Sequence, residues 1–237
     1  MRDKLNTDAP YQLYYFPIPG RAEASRVALS FANLDWSDNR INGEEYGRMK
    51  ENGDLPWGLV PILRTPEGVL AESSAILRYV GNMAGLTPED PFQTAKVDEF
   101  IDGYEPFSQI LSGSFSIEDV EERTRVRESL FETDGKGTKG LKAVEKKIDE
   151  STTGWAASTP EMNIADIRVF TSLFGLFSGN FDGVYKENLA NYPGLLKYHD
   201  KVANEPRIKN HYANISERPL CWTYQPGAFS DLLESNS

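Results

Sequence analysis

Residues 57–84 read WGLVPILRTPEGVLAESSAILRYVGNMA, and the rest of the chain is arranged around them. The apolar run from Leu59 to Leu63, interrupted only by Pro61, predicts a strand. Proline lacks the N–H a ladder needs, so it belongs at an edge, a strand start or a bulge. Around Val60-Pro61 the backbone is therefore available to pair with something other than a neighbouring strand. Thr65 to Gly68 (TPEG) is turn chemistry, with Pro presetting φ and Gly tolerating positive φ. Val69 and Leu70 make a short second strand. A helix follows, with Ile76, Tyr79, Val80 and Met83 spaced at i, i+3, i+4 and i+7. Ser73 and Ser74 stand at its start, where hydroxyls and unpaired backbone N–H groups form an anion site. A free backbone edge beside a carboxylate-binding helix end suits a small peptide ligand.

Upstream, residues 1–10 form a polar leader, and Tyr11 to Phe16 is rich in β-formers and reads as a strand. Tyr11, Leu13 and Tyr15 share one of its faces. Pro17 to Gly20 (PIPG) must be a loop. Arg21 to Ala32 has helical spacing, with Ala24, Val27, Ala28 and Phe31 on one face. Leu34 to Ile41 predicts a second strand, and Glu44 to Lys50 an acidic helical turn. A strand–helix–strand start implies a right-handed crossover and a parallel pair, to which the later hairpin adds an antiparallel edge.

Downstream, Gly85 to Pro91 is a linker by composition, and the pattern beyond it is wholly helical. Val97, Phe100, Ile101, Tyr104, Phe107 and Leu111 mark a long amphipathic helix. Ser116 to Asp119 resembles a capping box before a charged helix. Gly135 to Gly140 is expected to break the chain, with Leu141, Val144 and Ile148 defining the helix after it. Asn163 to Asp166 is a further cap signal, before a segment apolar nearly all round that must be buried. Pro193 and Pro206 open two more helices, the last carrying Ile208, Tyr212 and Ile215.

The 237 residues carry a net charge of −11. That balance argues against nucleic acid or an anionic membrane surface as the main partner, because both select a basic footprint. No apolar run approaches the roughly 18 residues a membrane helix needs. The N-terminus lacks a signal-peptide core. The single cysteine, Cys221, excludes an intramolecular disulfide framework and fits a reducing compartment. A cytoplasmic protein is expected, in which the glycosylation pattern at Asn214 to Ser216 carries no meaning. His199 and His211 lack neighbours at metal-ligand spacing, so no metal site is expected. No glycine-rich phosphate loop is present.

Residues 15–23, YFPIPGRAE, resemble the Tyr-Phe-x-x-x-Gly-Arg-Ala-Glu signature of sigma-class glutathione transferases, the class of the glutathione-dependent prostaglandin D synthases and the lens S-crystallins. The Val60-Pro61 and Glu72-Ser73 pairs and the helices from Asn163 to His211 resemble the same family, so the likeness runs over roughly residues 11–218. It implies an α/β thioredoxin-like domain over 11–84, an all-α helical bundle over 92–218, and a tail over 219–237 outside the likeness. It implies glutathione as co-substrate, with Tyr15 catalytic and Arg21 the basic residue beside the thiol. Lys50 is implied to pair with the glycyl carboxylate. Tyr46 stands where the family usually has Trp, placed to donate a hydrogen bond nearby. Phe16, Gly58 and Leu59 flank these contacts. Val60 pairs with the cysteinyl backbone beside a cis Pro61, and Glu72-Ser73 holds the γ-glutamyl end. The family implies a homodimer in which an Asp reaches the partner's glutathione; Asp102 is favoured over Asp98, one turn earlier. Small hydrophobic electrophiles would face Phe16, Ile18 and Tyr104. The fold also hosts thiol–disulfide enzymes, which the missing cysteine at the first strand's end excludes.

Three functions stay open on these residues. The first is conjugation of glutathione to hydrophobic electrophiles, in detoxification. The second is glutathione-dependent isomerisation of the prostaglandin-synthase type, and the third a non-catalytic binding or structural role. Retention of Tyr15, Arg21, Lys50, Pro61 and Glu72-Ser73 together favours catalysis.

Overall fold

A computed structural model describes residues 9–214 and 218–234, which fall into two compact units, 1–87 and 88–237. In the first, β1 (Tyr11–Tyr15), α1 (Glu23–Phe31), β2 (Trp36–Arg40), α2 (Gly43–Glu51), β3 (Ile62–Thr65), β4 (Gly68–Ala71) and α3 (Ser73–Met83) follow one another. The four strands lie in the order β2-β1-β3-β4. β1 pairs parallel with β2 and antiparallel with β3, and β3 pairs antiparallel with β4. This is the thioredoxin-like mixed sheet expected from a crossover followed by a hairpin. Leu13, Ile62 and Leu63 are fully buried in it, and α1 and α3 pack against each other.

Several boundaries differ from the sequence reading. β3 begins at Ile62, after Pro61, so Leu59 and Val60 precede the ladder rather than belonging to it. α3 buries Ile76, Leu77, Val80 and Gly81, whereas Tyr79 and Met83 are only half-buried; the core-facing stripe is turned by one residue. The Val60–Pro61 peptide bond is cis.

The second unit is helical: α4 (Pro91–Ser108), α5 (Val120–Leu130), α6 (Lys136–Asp149), α7 (Ile164–Val169), α8 (Pro193–Ala203), α9 (Pro206–His211) and α10 (Ser230–Glu234). Asp119, not Ser116, caps α5, accepting the Glu122 N–H at 2.7 Å from the position directly before the first helical residue. Gly135 to Gly140 does not break the chain. Gly135 precedes α6, and Gly137 and Gly140 lie inside it. A Cβ on Gly140 would stand 2.2 Å from Phe107 Cδ2, so small residues here let α6 approach α4. α7 continues as a π segment, Phe170–Phe174, buried with Phe177 at the centre of the unit.

α9 is not the last element, and the expected position Ile215 lies outside the described residues. Beyond it a 3₁₀ turn, Pro219–Tyr224, and α10 fold onto the same core. There the Tyr224 hydroxyl donates to Thr171 O at 2.8 Å, and the buried His199 ring stands among Phe170, Phe174 and Phe229. No helix of the described residues is long and apolar enough to cross a membrane.

Candidate functional site

Strand register gathers the expected residues of the first unit at one end of its sheet. Tyr14 stands opposite Ile62, so the next step along the pair sets Tyr15 toward Pro61. Ile62 stands opposite Ala71, which places Val60-Pro61 and Glu72-Ser73 at the same end. Tyr15 also pairs with Arg40, two residues before Asn42, the N-cap of α2. No side-chain contact is needed for this convergence; the ladders produce it.

Tyr15 ends β1 with its ring buried, and its hydroxyl oxygen accepts the Arg21 backbone N–H at 3.2 Å. Gly20, at φ +45°, makes this approach possible, because a Cβ there would lie 2.8 Å from the Tyr15 hydroxyl oxygen. The half-buried Arg21 side chain leaves the same 3₁₀ turn, Gly20–Ala22. The Phe16 ring lies 5.5 Å from Tyr15 and 5.6 Å from Tyr46. Ile18 sits two residues on, in the loop between β1 and that turn.

Tyr46 is engaged within the chain. Its O–H donates to Gly58 O at 2.8 Å, fixing a residue held at φ +69°. A phenol has one proton, and here it supports the loop before Pro61. Lys50 is exposed near the end of α2, with its Cε 3.9 Å from where a Gly58 Cβ would stand. Leu59 is exposed, and no hydrogen bond within the described chain engages the Val60 N–H or C=O. Glu72 stands before α3 at φ +68°, a conformation costing a non-glycine residue about 1–3 kcal/mol. Ser73 is buried, and its hydroxyl has no partner among the described residues.

Sequence reasoning missed Arg26. This 1 % exposed guanidinium on α1 donates to Phe16 O at 3.3 Å, Ile18 O at 2.8 Å and Pro19 O at 3.1 Å. It also pairs with Glu23 at 3.1 Å and Asp38 at 3.0 Å. Burial works against its charge, but the two carboxylates outweigh burial and hold it above the ordinary arginine value. The available signal was an arginine one turn after Glu23 on an otherwise apolar helix face.

The remaining expected residues belong to the helical unit. Asp102 is exposed on α4, and Asp98 half-buried four residues before it. Tyr104 is buried, beside a cavity of about 590 Å³ that Phe100, Ala143 and Val144 also line. Burial, first, pushes its hydroxyl well above the ordinary tyrosine range. Among the described residues, no group of three or more His, Cys, Asp or Glu side chains could hold a metal ion.

A thioredoxin-like unit whose sheet end gathers Tyr15, Val60-Pro61 and Glu72-Ser73, followed by a helical unit, defines a two-domain class of glutathione-using proteins. Residues 11–82 match the glutathione S-transferase N-terminal domain, and residues 106–214 its C-terminal domain. The chain belongs to the glutathione S-transferase family and is, as a member, a transferase with glutathione as co-substrate. It is 28 % identical over 213 residues to glutathione S-transferase 1 of Ascaris suum, covering 88 % of this chain and 97 % of the relative. It is 31 % identical over 113 residues to hematopoietic prostaglandin D synthase of Gallus gallus, covering 48 % of this chain and 56 % of that one. The crystal structure of the glutathione S-transferase from Ascaris lumbricoides superposes with a TM-score of 0.70 at 27 % identity, covering 88 % of this chain and 98 % of that one.

Proposed function

We propose that this transferase activates the thiol of glutathione through Tyr15 for attack on small hydrophobic electrophiles. The observation carrying this is the Arg21 N–H donated to the Tyr15 hydroxyl. With one lone pair so engaged, the Tyr15 proton is directed away from the chain, toward the sheet end where Val60 has a free backbone. A thiol ordinarily titrates near 8.5, so only a few per cent is thiolate at neutral pH. A charge-assisted hydrogen bond from Tyr15 to sulfur favours the thiolate, and the Arg21 charge adds to it. The thiol proton leaves to solvent. The sulfur lone pair then forms a carbon–sulfur bond as the electrophile expels its leaving group or takes up the electron pair.

In this reading the Val60 backbone pairs with the cysteinyl residue, Lys50 meets the glycyl carboxylate, and the α3 start with Glu72-Ser73 holds the γ-glutamyl end. Phe16 and Gly58 flank the peptide with Leu59, and Tyr46 keeps Gly58 in place. Phe16 and Ile18 face the electrophile. We further propose a cytoplasmic, sigma-class homodimer acting in detoxification, in which Asp102 reaches the partner's glutathione. The YFPIPGRAE signature supports the class, and the exposure of Asp102 is compatible with that reach.

A second reading, glutathione-dependent isomerisation, draws on the likeness to the Gallus gallus prostaglandin D synthase. Conjugation of glutathione to a chlorinated nitrobenzene, followed spectrophotometrically, tests the first reading. Turnover supports it. Isomerisation of a prostaglandin endoperoxide without conjugation selects the second, and binding of glutathione with neither reaction refutes both.

A further inference from the structure

Three carbonyl oxygens of one short loop, those of Phe16, Ile18 and Pro19, converge on the guanidinium of Arg26 at 3.3, 2.8 and 3.1 Å. A loop holding Pro17, Pro19 and Gly20 has few N–H groups with which to fix itself, so its carbonyls are held from outside the loop. The cation stays in place because Glu23, itself buried, shares Nη1 with two of the carbonyls and Asp38 accepts from Nε. Its central carbon also lies 5.8 Å from the Tyr15 ring centroid. The loop it fixes joins Tyr15 to Arg21, whose N–H meets the Tyr15 hydroxyl.

We infer that Arg26 is a positioning residue for thiol activation: it clamps loop 16–19 so that the Arg21 N–H engages the Tyr15 oxygen and directs the Tyr15 proton to sulfur. This rests on the Tyr15 reading above. The planar fork is essential to it. A lysine supplies charge but is a single point with three donors, and cannot span three carbonyls and two carboxylates. Arg26 touches neither the peptide nor the electrophile, so its loss should act on the thiol and leave peptide binding nearly untouched.

The test titrates the bound glutathione thiol by thiolate absorbance in the full-length wild type, Tyr15→Phe, Arg26→Lys and the double variant Glu23→Gln/Arg26→Met. The double variant removes the buried pair together and leaves Asp38 its partner Arg40, so it strands no buried charge if Arg26→Lys fails to fold. In a folded Arg26 variant the bound thiol pKa should rise by about one unit and kcat at neutral pH should fall roughly tenfold. The kcat should recover at alkaline pH, with KM for glutathione within about threefold. Loss through general loosening would instead raise KM and lower kcat at every pH, and would overturn the proposal. A folded variant with the wild-type thiol pKa and kcat would overturn it too. If Tyr15→Phe raises the thiol pKa and the Arg26 variants do not, only this inference fails. If Tyr15→Phe leaves the pKa unchanged, the Tyr15 reading itself has failed.

Discussion

The Arg21 backbone N–H reaches the Tyr15 hydroxyl oxygen at 3.2 Å across the loop of residues 16–20. The Tyr15 oxygen is thus an acceptor within the chain, and in the proposed reading its own proton is the donor a ligand meets. Removing the oxygen deletes the outward donor while a buried aromatic ring still fills its place. Tyr15→Phe should therefore raise the bound thiol pKa by one unit or more and cut turnover about tenfold or more at neutral pH. KM for glutathione should change far less, because in the proposed reading Lys50, Val60 and Ser73 hold the rest of the peptide. Unchanged turnover in this variant would falsify the role of Tyr15.

Gly20 is where that geometry is most easily broken. Its φ of +45° disfavours a side chain, and a Cβ would stand 2.8 Å from the Tyr15 hydroxyl oxygen and 2.9 Å from its ring. Gly20→Ala should cost about 1–2 kcal/mol of stability through backbone strain and lower kcat by displacing the hydroxyl. Gly47, on α2 with nothing within 4 Å of a Cβ, is the control. Gly47→Ala should be neutral or stabilising by up to about 1 kcal/mol, with activity retained. Equal kcat in the two alanine variants would show that the Tyr15 hydroxyl need not be held close to Gly20.

Local signals made the first unit legible. The prolines and glycines at 17–20 and 65–68 marked its turns, and alternation in Tyr11–Tyr15 marked the strand that the register later placed beside Pro61. The motif residues could be read because their spacing along the chain is short. What escaped was set by neighbours distant in sequence. Arg26 looked like one charge on a helix until the carbonyls of loop 16–19 and Asp38 were seen around it. The hydrogen bond from Tyr46 to Gly58 O, a partner twelve residues away, was likewise not legible from the motif. In the helical unit, glycines were read by propensity as breakers. Packing overrode propensity, because at Gly140 the constraint is Phe107 on another helix.

Gly140 separates those two effects in one substitution. Propensity alone makes Gly140→Ala stabilising by about 1 kcal/mol inside α6. The added Cβ would lie 2.2 Å from Phe107 Cδ2 and 2.9 Å from its Cε2, and the Phe107 ring is buried beside Tyr104. Overpacking of this kind costs about 1–3 kcal/mol, so the clash outweighs the propensity gain. The variant should unfold at lower denaturant concentration with an unchanged m-value. A midpoint at or above wild type would mean that α4 and α6 separate at little cost.

Asp166 gives the helical unit a pH dependence opposite to that of a paired surface carboxylate. It is fully buried, and one carboxylate oxygen accepts the Ala156 N–H at 2.7 Å and the Tyr198 hydroxyl at 2.8 Å. The other accepts the Asn163 N–H at 2.9 Å, closing the capping box of α7. Burial raises its pKa from 3.8 to about 6, against the pull of those three donors and of Lys201. Because the folded value lies above the unfolded one, this group's contribution is complete below about pH 4 and is lost as pH rises through about 6. A shift of this size corresponds to roughly 3 kcal/mol. Asp166→Asn cannot titrate and, like the protonated carboxyl, keeps a single carbonyl acceptor, so at acid pH its stability should lie within about 1–3 kcal/mol of wild type. The stability difference between the two proteins should then shift in the variant's favour by up to about 3 kcal/mol between pH 4 and pH 7, as the wild type alone must ionise a buried acid. Denaturant unfolding across that range measures it. A difference that stays constant from pH 4 to 7 would place the Asp166 carboxyl at its ordinary value in the folded protein and remove this account of the cap.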